Sequence, residues 1–198
     1  YKKTLQSAFI KERFKGKKII TFVGRLVKWK SIDSSIRAFQ RLPVEIQKKS
    51  VLLIIGDGEQ REHLENTAGE LLDNGIYFLG QKPFKETLSI LKATDIYVHS
   101  ASLGGGLSHS LLQAMLAGCT IVASPHEGAG EVILPNKTGI LLSDNKPESI
   151  EKGIISCLKN PEKSEKYGAE AARHVREHFS WDLVIERYKD LFEELLKG

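Results

Sequence analysis

DIYVHSASLGGGLSHSLLQAMLAGCTIVAS, residues 95–124, is the stretch whose reading decides the fold. It divides into a short apolar strand (Ile96, Tyr97, Val98), a glycine triplet (Gly104, Gly105, Gly106), a helix beginning near Ser108, and a second buried strand (Ile121, Val122, Ala123). Glycines between a strand end and a helix start let backbone amides approach a ligand where a Cβ would collide. The helix beyond adds unpaired N–H groups and about half a positive charge at its first turn. Such a turn is either a seat for an anion or only a tight connection.

Upstream, KIITFV (residues 18–23) reads as a short buried strand followed by GRLVKWKS and a helix from about Ile32 to Leu42. Ile32, Ile36, Phe39 and Leu42 fall on one helical face, and Ser31 is placed to cap it. VLLII (residues 51–55) is an unbroken apolar run, the mark of a strand covered on both faces, and Gly56, Asp57 and Gly58 end it. A charged helix over 59–72, a third strand over 76–79, the loop GQKPF and a helix over 85–92 follow. Downstream of the opening stretch come the turn PHEGAGEVI and a strand over 139–142.

This alternation predicts an α/β, Rossmann-like parallel sheet of about six strands, with right-handed crossovers and helices on both faces. Ligands of such sheets gather beyond the carboxyl ends of the strands. The glycine loops at 24, 56–58, 80 and 104–106 all fall at that edge, and their convergence says more than any one of them.

The C-terminal part reads as three helices, over 147–158, 161–178 and 180–196. In the last, Trp181, Val184, Tyr188, Leu191 and Leu195 recur at steps of three and four and make an apolar stripe. Glu186, Asp190, Glu193 and Glu194 on the opposite face suit anionic lipid poorly, so packing on protein is expected. Three regions follow: a linker or boundary over 1–17, a ligand-binding domain over 18–178, and an amphipathic helix over 179–198.

With 198 residues the chain can bury about 70% of its unfolded surface in a proper core. Charged residues at 27% and apolar ones at 41% exclude disorder and fibres, and the net charge of +4 is mild. Basic residues crowd the N-terminal end, but no nucleic-acid motif accompanies them, so a solvated tail is expected and no nucleic-acid partner. Cys119 and Cys157 lie in apolar contexts without metal spacing, which predicts reduced, buried thiols, no metal and a cytoplasmic home. No apolar run approaches the roughly 18 residues of a membrane span.

The order of motifs resembles the C-terminal, donor-binding half of group 1 retaining glycosyltransferases of GT-B fold. VGRLVKWKSID, IIGDGEQREHLE, FLGQKPFKETLSILKATDIYV, GLSHSLLQAMLAGCTIVAS, GEVI and NKTGILL carry the resemblance from about Lys18 to Leu196. It implies that Arg25 and Lys30, on the loop opening at Gly24, hold and stabilise the diphosphate of a nucleotide sugar such as a UDP- or GDP-sugar. Arginine as a forked donor and lysine as a point charge suit phosphate oxygens. A solvated turn with basic ends is the competing reading.

The resemblance further implies base contacts near Gln81 and Pro83, phosphate amides at Gly105, Gly106, Leu107 and Ser108, and sugar or phosphate contacts at Gly128 and Glu131. Glu131 can also be read simply as a helix-start carboxylate. No cofactor besides the substrate is implied. The chain departs from the family where Lys28, Trp29 and Ser31 replace the usual Pro, Glu and Gly. More consequentially, Gly105 and Gln113 stand where the family places two glutamates, one near the donor sugar and one on the ribose diol. Gln113 either contacts ribose or forms a capping box with Ser110. Glycine offers no side chain, and glutamine only one oxygen, so a non-catalytic scaffold is the alternative to a transferase. His109 and His126 are loop histidines beside the site. In the family the acceptor lies on an N-terminal domain outside these residues, which implies that this chain alone is inactive, that its last helix reaches toward that domain, and that any peripheral membrane contact runs through it.

Overall fold

The computed structural model describes residues 2–104 and 106–196, with side chains from Ser7 onward. Gly105 lies outside the described residues. Six parallel strands form one sheet: β1 (Lys18–Val23), β2 (Ser50–Ile55), β3 (Ile76–Gly80), β4 (Ile96–His99), β5 (Thr120–Ala123) and β6 (Ile140–Leu141). Their spatial order is β3-β2-β1-β4-β5-β6. The chain therefore works outward from β1 to one edge and then returns to β4 on its other side, and the gap between β1 and β4 is the topological switch point.

The pleat explains the two cores. In β2, Leu52 and Ile54 point to one face with Ile20 and Phe22 of β1, whereas Val51, Leu53 and Ile55 point to the other with Ile19. Helices α2 (Ile32–Gln40), α4 (Arg61–Ala68) and α8 (Pro147–Lys159) cover the first face. The second is covered by α5 (Phe84–Leu91), α6 (His109–Leu116) and α9 (Pro161–His178). Every residue of β2 is buried, as an unbroken apolar run requires.

The expected linker is a helix, α1 (Lys2–Arg13), which packs beside α5. Ile10 and Phe14 are buried, and the Phe14 ring lies 5.0 Å from that of Tyr77 on the edge strand β3. Arg13 stacks over both rings, at 5.2 and 5.4 Å. Lys11 and Arg13 are exposed on this docked element.

Two short helices, α3 (Val44–Gln47) and α7 (Ala129–Val132), fill connections. The last helix, α10 (Trp181–Leu196), buries none of its residues, and its stripe is open to solvent, with Trp181 77% and Phe192 60% exposed. Among the described residues no helix is long and apolar enough to cross a membrane.

Candidate donor cleft at the sheet switch point

Three loops meet above β1, β4 and β5. The loop after β1 runs from Gly24 through a 3-10 turn at Lys28–Lys30. It is stitched to the loop after β4 by the Trp29 carbonyl, which accepts from the Ser102 N–H at 2.9 Å and the Ser102 hydroxyl at 3.1 Å. The Ser100 hydroxyl donates to the Lys30 carbonyl at 2.9 Å. The loop after β5 joins them where Gly128, at φ 71°, presses on the glycine loop: a Cβ there would stand 2.8 Å from the Gly106 oxygen and 2.9 Å from Leu107 Cα. Only glycine permits both that conformation and that approach.

Trp29 organises the two cations. The Arg25 guanidinium lies 5.9 Å and the Lys30 ammonium 4.4 Å from its ring centre, within cation–π range. Arg25 is exposed and lines an open cavity of about 380 Å³ with Gly24, Asp57, Gln81, Lys82 and Thr87. Lys30 is buried, and its ammonium donates to both oxygens of Glu127, at 2.5 and 2.6 Å. Glu127 itself sits at φ 53°, a left-handed conformation costing about 1–2 kcal/mol for a residue with a Cβ.

Behind this pair stands His99, at the end of β4 and 2% exposed. Burial lowers its pKa to about 4, and the Lys30 charge adds to the effect, while a hydrogen bond to the His126 backbone works the other way. Its Nε2 is 3.4 Å from Glu127 Oε2 but has no hydrogen-bond partner among the described residues. Tyr97, one turn of the pleat earlier, anchors α6: its hydroxyl lies 3.3 Å from the Val23 carbonyl and 3.0 Å from Ser110 Oγ. Burial raises that phenol well above its ordinary range.

The residues expected from sequence thus gather at one edge with different roles. Gly24, Arg25 and Gln81 line the cavity, with Pro83 at the adjoining start of α5. Gly106 and Leu107 form the glycine turn with Gly128, and Ser108 is buried at the N-cap of α6. Glu131 is exposed on α7. Gln113 lies in the second turn of α6, half-buried.

The capping box expected between Ser110 and Gln113 does not form. The N-cap is Ser108, so Ser110 is inside the helix, where its hydroxyl meets those of Ser108 and Tyr97. Ser31 occupies the N-cap of α2, but in a left-handed conformation without a side-chain cap bond. Sequence reasoning also passed over Trp29, Glu127 and His99 as parts of the cleft. An acidic residue and a tryptophan on glycine-rich loops at the same sheet edge were the available signals.

Sheet order, glycine turns and cleft together define a doubly wound α/β domain of the kind that makes one half of a GT-B fold. The chain belongs to the group 1 glycosyltransferases: the family described as Glycosyl transferases group 1 matches residues 5–174. An uncharacterized glycosyltransferase of Methanocaldococcus jannaschii is 48% identical over 187 residues, covering 94% of this chain and 48% of that protein. The GDP-mannose-dependent monoacylated alpha-(1-6)-phosphatidylinositol monomannoside mannosyltransferase of Corynebacterium glutamicum is 28% identical over 181 residues, covering 88% of this chain and 47% of the relative. Anabaena HepE, solved in complex with UDP-glucose, superposes with a TM-score of 0.83 at 20% identity, over 98% of this chain and 53% of that one. The chain spans about half the length of the curated relatives it matches.

Proposed function

We propose that this chain is the donor-binding half of a glycosyltransferase that moves a sugar from a nucleoside diphosphate sugar to an acceptor with retention of anomeric configuration. The observation that carries it is the meeting of the Arg25–Lys30 loop with the glycine turn at the switch point, bridged by Trp29 and Ser102. In this reading the base occupies the cavity of about 380 Å³ beside Gln81, and the diphosphate lies near Arg25, Lys30 and the amides around Gly106. Cations and free amides held there in advance stabilise the charge that grows on the diphosphate as it leaves. The UDP-glucose bound to HepE and the GDP-mannose dependence of the mannosyltransferase support a nucleotide sugar as substrate class.

Gln113 takes the ribose, and Gly128 and Glu131 flank the sugar. The acceptor is bound by sequence outside this chain, against which the exposed stripe of α10 packs, so this chain alone transfers nothing. Titration with UDP and GDP tests the donor reading. Micromolar to millimolar binding is expected, weakened about ten- to a hundred-fold by Arg25→Ala or Lys30→Ala, the loss of one charged hydrogen bond. No binding of either nucleotide would instead favour a scaffold without transfer, the reading that Gly105 and Gln113 keep open.

A further inference from the structure

We propose that Glu127 is the residue that reads a hydroxyl of the donor's sugar, an inference that rests on the donor-binding reading just given. Three observations about one side chain lead there. Glu127 holds a left-handed backbone conformation at φ 53°, which a glycine would adopt without strain. Its stem lies over the glycine loop, where a Cβ on Gly104 would stand 3.3 Å from Glu127 Cγ. Its carboxylate is nearly buried, with 11% of the side chain exposed, and it carries the Lys30 ammonium on both oxygens.

Electrostatics assigns the direction of approach. A carboxylate repels a diphosphate, so the two share a cleft only with a cation between them, and Lys30 is that cation. What lies beyond the diphosphate on a nucleotide sugar is the neutral sugar, whose hydroxyls are donors. A carboxylate offers about four lone-pair sites, of which Lys30 takes one on each oxygen. His99 supplies no donor from behind, because its Nε2, buried 3.4 Å away, makes no hydrogen bond among the described residues. Among the described residues no donor but Lys30 hydrogen-bonds the Glu127 carboxylate, which leaves its remaining lone pairs for a donor arriving from the cleft, and a sugar hydroxyl is the part of the ligand that brings one.

A residue that only steadied Lys30 would affect nucleotide and nucleotide sugar alike, and that difference is the test. UDP, UDP-glucose, GDP and GDP-mannose are titrated into the wild-type chain, Glu127→Gln and Glu127→Gly by calorimetry. The glycine variant relieves the left-handed strain, which guards against misfolding of the site. For the pair that binds wild type, the ratio of nucleotide-sugar Kd to nucleotide Kd is expected to rise about ten-fold or more in both variants, with nucleotide affinity unchanged or tighter as Lys30 is freed. An unchanged ratio, with both affinities falling together, makes Glu127 a positioning residue for Lys30 and overturns this inference alone. Absence of wild-type binding to every one of the four overturns the donor reading, and this inference with it.

Discussion

The Trp29 carbonyl receives two hydrogen bonds from one residue, the N–H of Ser102 at 2.9 Å and its hydroxyl at 3.1 Å. This doubled contact locks the loop after β1 to the loop after β4 across the switch point, and so fixes the ring on which both Arg25 and Lys30 rest. Ser102→Ala removes only the hydroxyl bond. A loss of about 0.5–1.5 kcal/mol is expected in urea unfolding, the net worth of one neutral hydrogen bond. Nucleotide affinity should fall as well, because the cations lose a fixed platform. A variant with unaltered stability and unaltered affinity would show that the backbone N–H bond alone holds the stitch.

How far the sequence speaks depends on the range of the interaction. Strand β2 was legible because every residue of an apolar run in a parallel sheet is buried, and the stripe of α10 because helical spacing needs no partner to be seen. The glycine loops were legible as a set, since the doubly wound topology sends them all to one edge. The α1 helix was not. Its basic residues look like a tail until Phe14 is found against Tyr77, a contact no local pattern announces. The same holds for Lys30 and Glu127, which lie 97 positions apart and acquire meaning only as a pair. The misplaced capping box has a local cause: Ser108, Ser110 and Gln113 offer two starts to one helix, and the Tyr97 hydroxyl draws Ser110 into its own network.

His99 makes stability depend on pH. Its folded pKa of about 4 lies below the ordinary 6.5, so between those values the unfolded chain binds a proton that the folded one refuses. Stability therefore rises with pH across that window, is complete above about 6.5, and is lost as pH falls toward 4. The full amplitude is on the order of 3 kcal/mol. Denaturant titrations at pH 4.5 and 7 should give a larger difference for wild type than for His99→Gln. Equal differences would mean that His99 titrates normally.

The close packing of β1 against β2 at the cleft floor sets a sharp steric test. Gly56, at φ 136°, is so near the loop after β1 that an added Cβ would meet the Gly24 carbonyl oxygen at 1.8 Å. Gly16, also left-handed at φ 76°, has nothing within 4 Å of such a Cβ. Gly16→Ala should cost only the conformational strain, about 1–2 kcal/mol. Gly56→Ala must also move backbone, and should cost about 3 kcal/mol or more while closing the cavity beside Arg25. Similar melting temperatures for the two variants would show that the Gly24 loop yields freely, and the cleft would then be no rigid seat for a diphosphate.

The last helix contributes its surface rather than its stability. None of the residues of α10 is buried, whereas Phe179 just before it packs into the core beside α9. Ending the chain after Ser180 therefore removes a helix that shields little, and unfolding free energy should change by about 1 kcal/mol or less, as for other exposed positions. Solubility should rise at the same time, because Trp181, Tyr188, Phe192 and Leu195 form a solvent-facing apolar strip. If the shortened chain instead melts well below the full one, α10 braces the domain itself, and its stripe is no evidence for a surface that packs against the rest of a longer transferase.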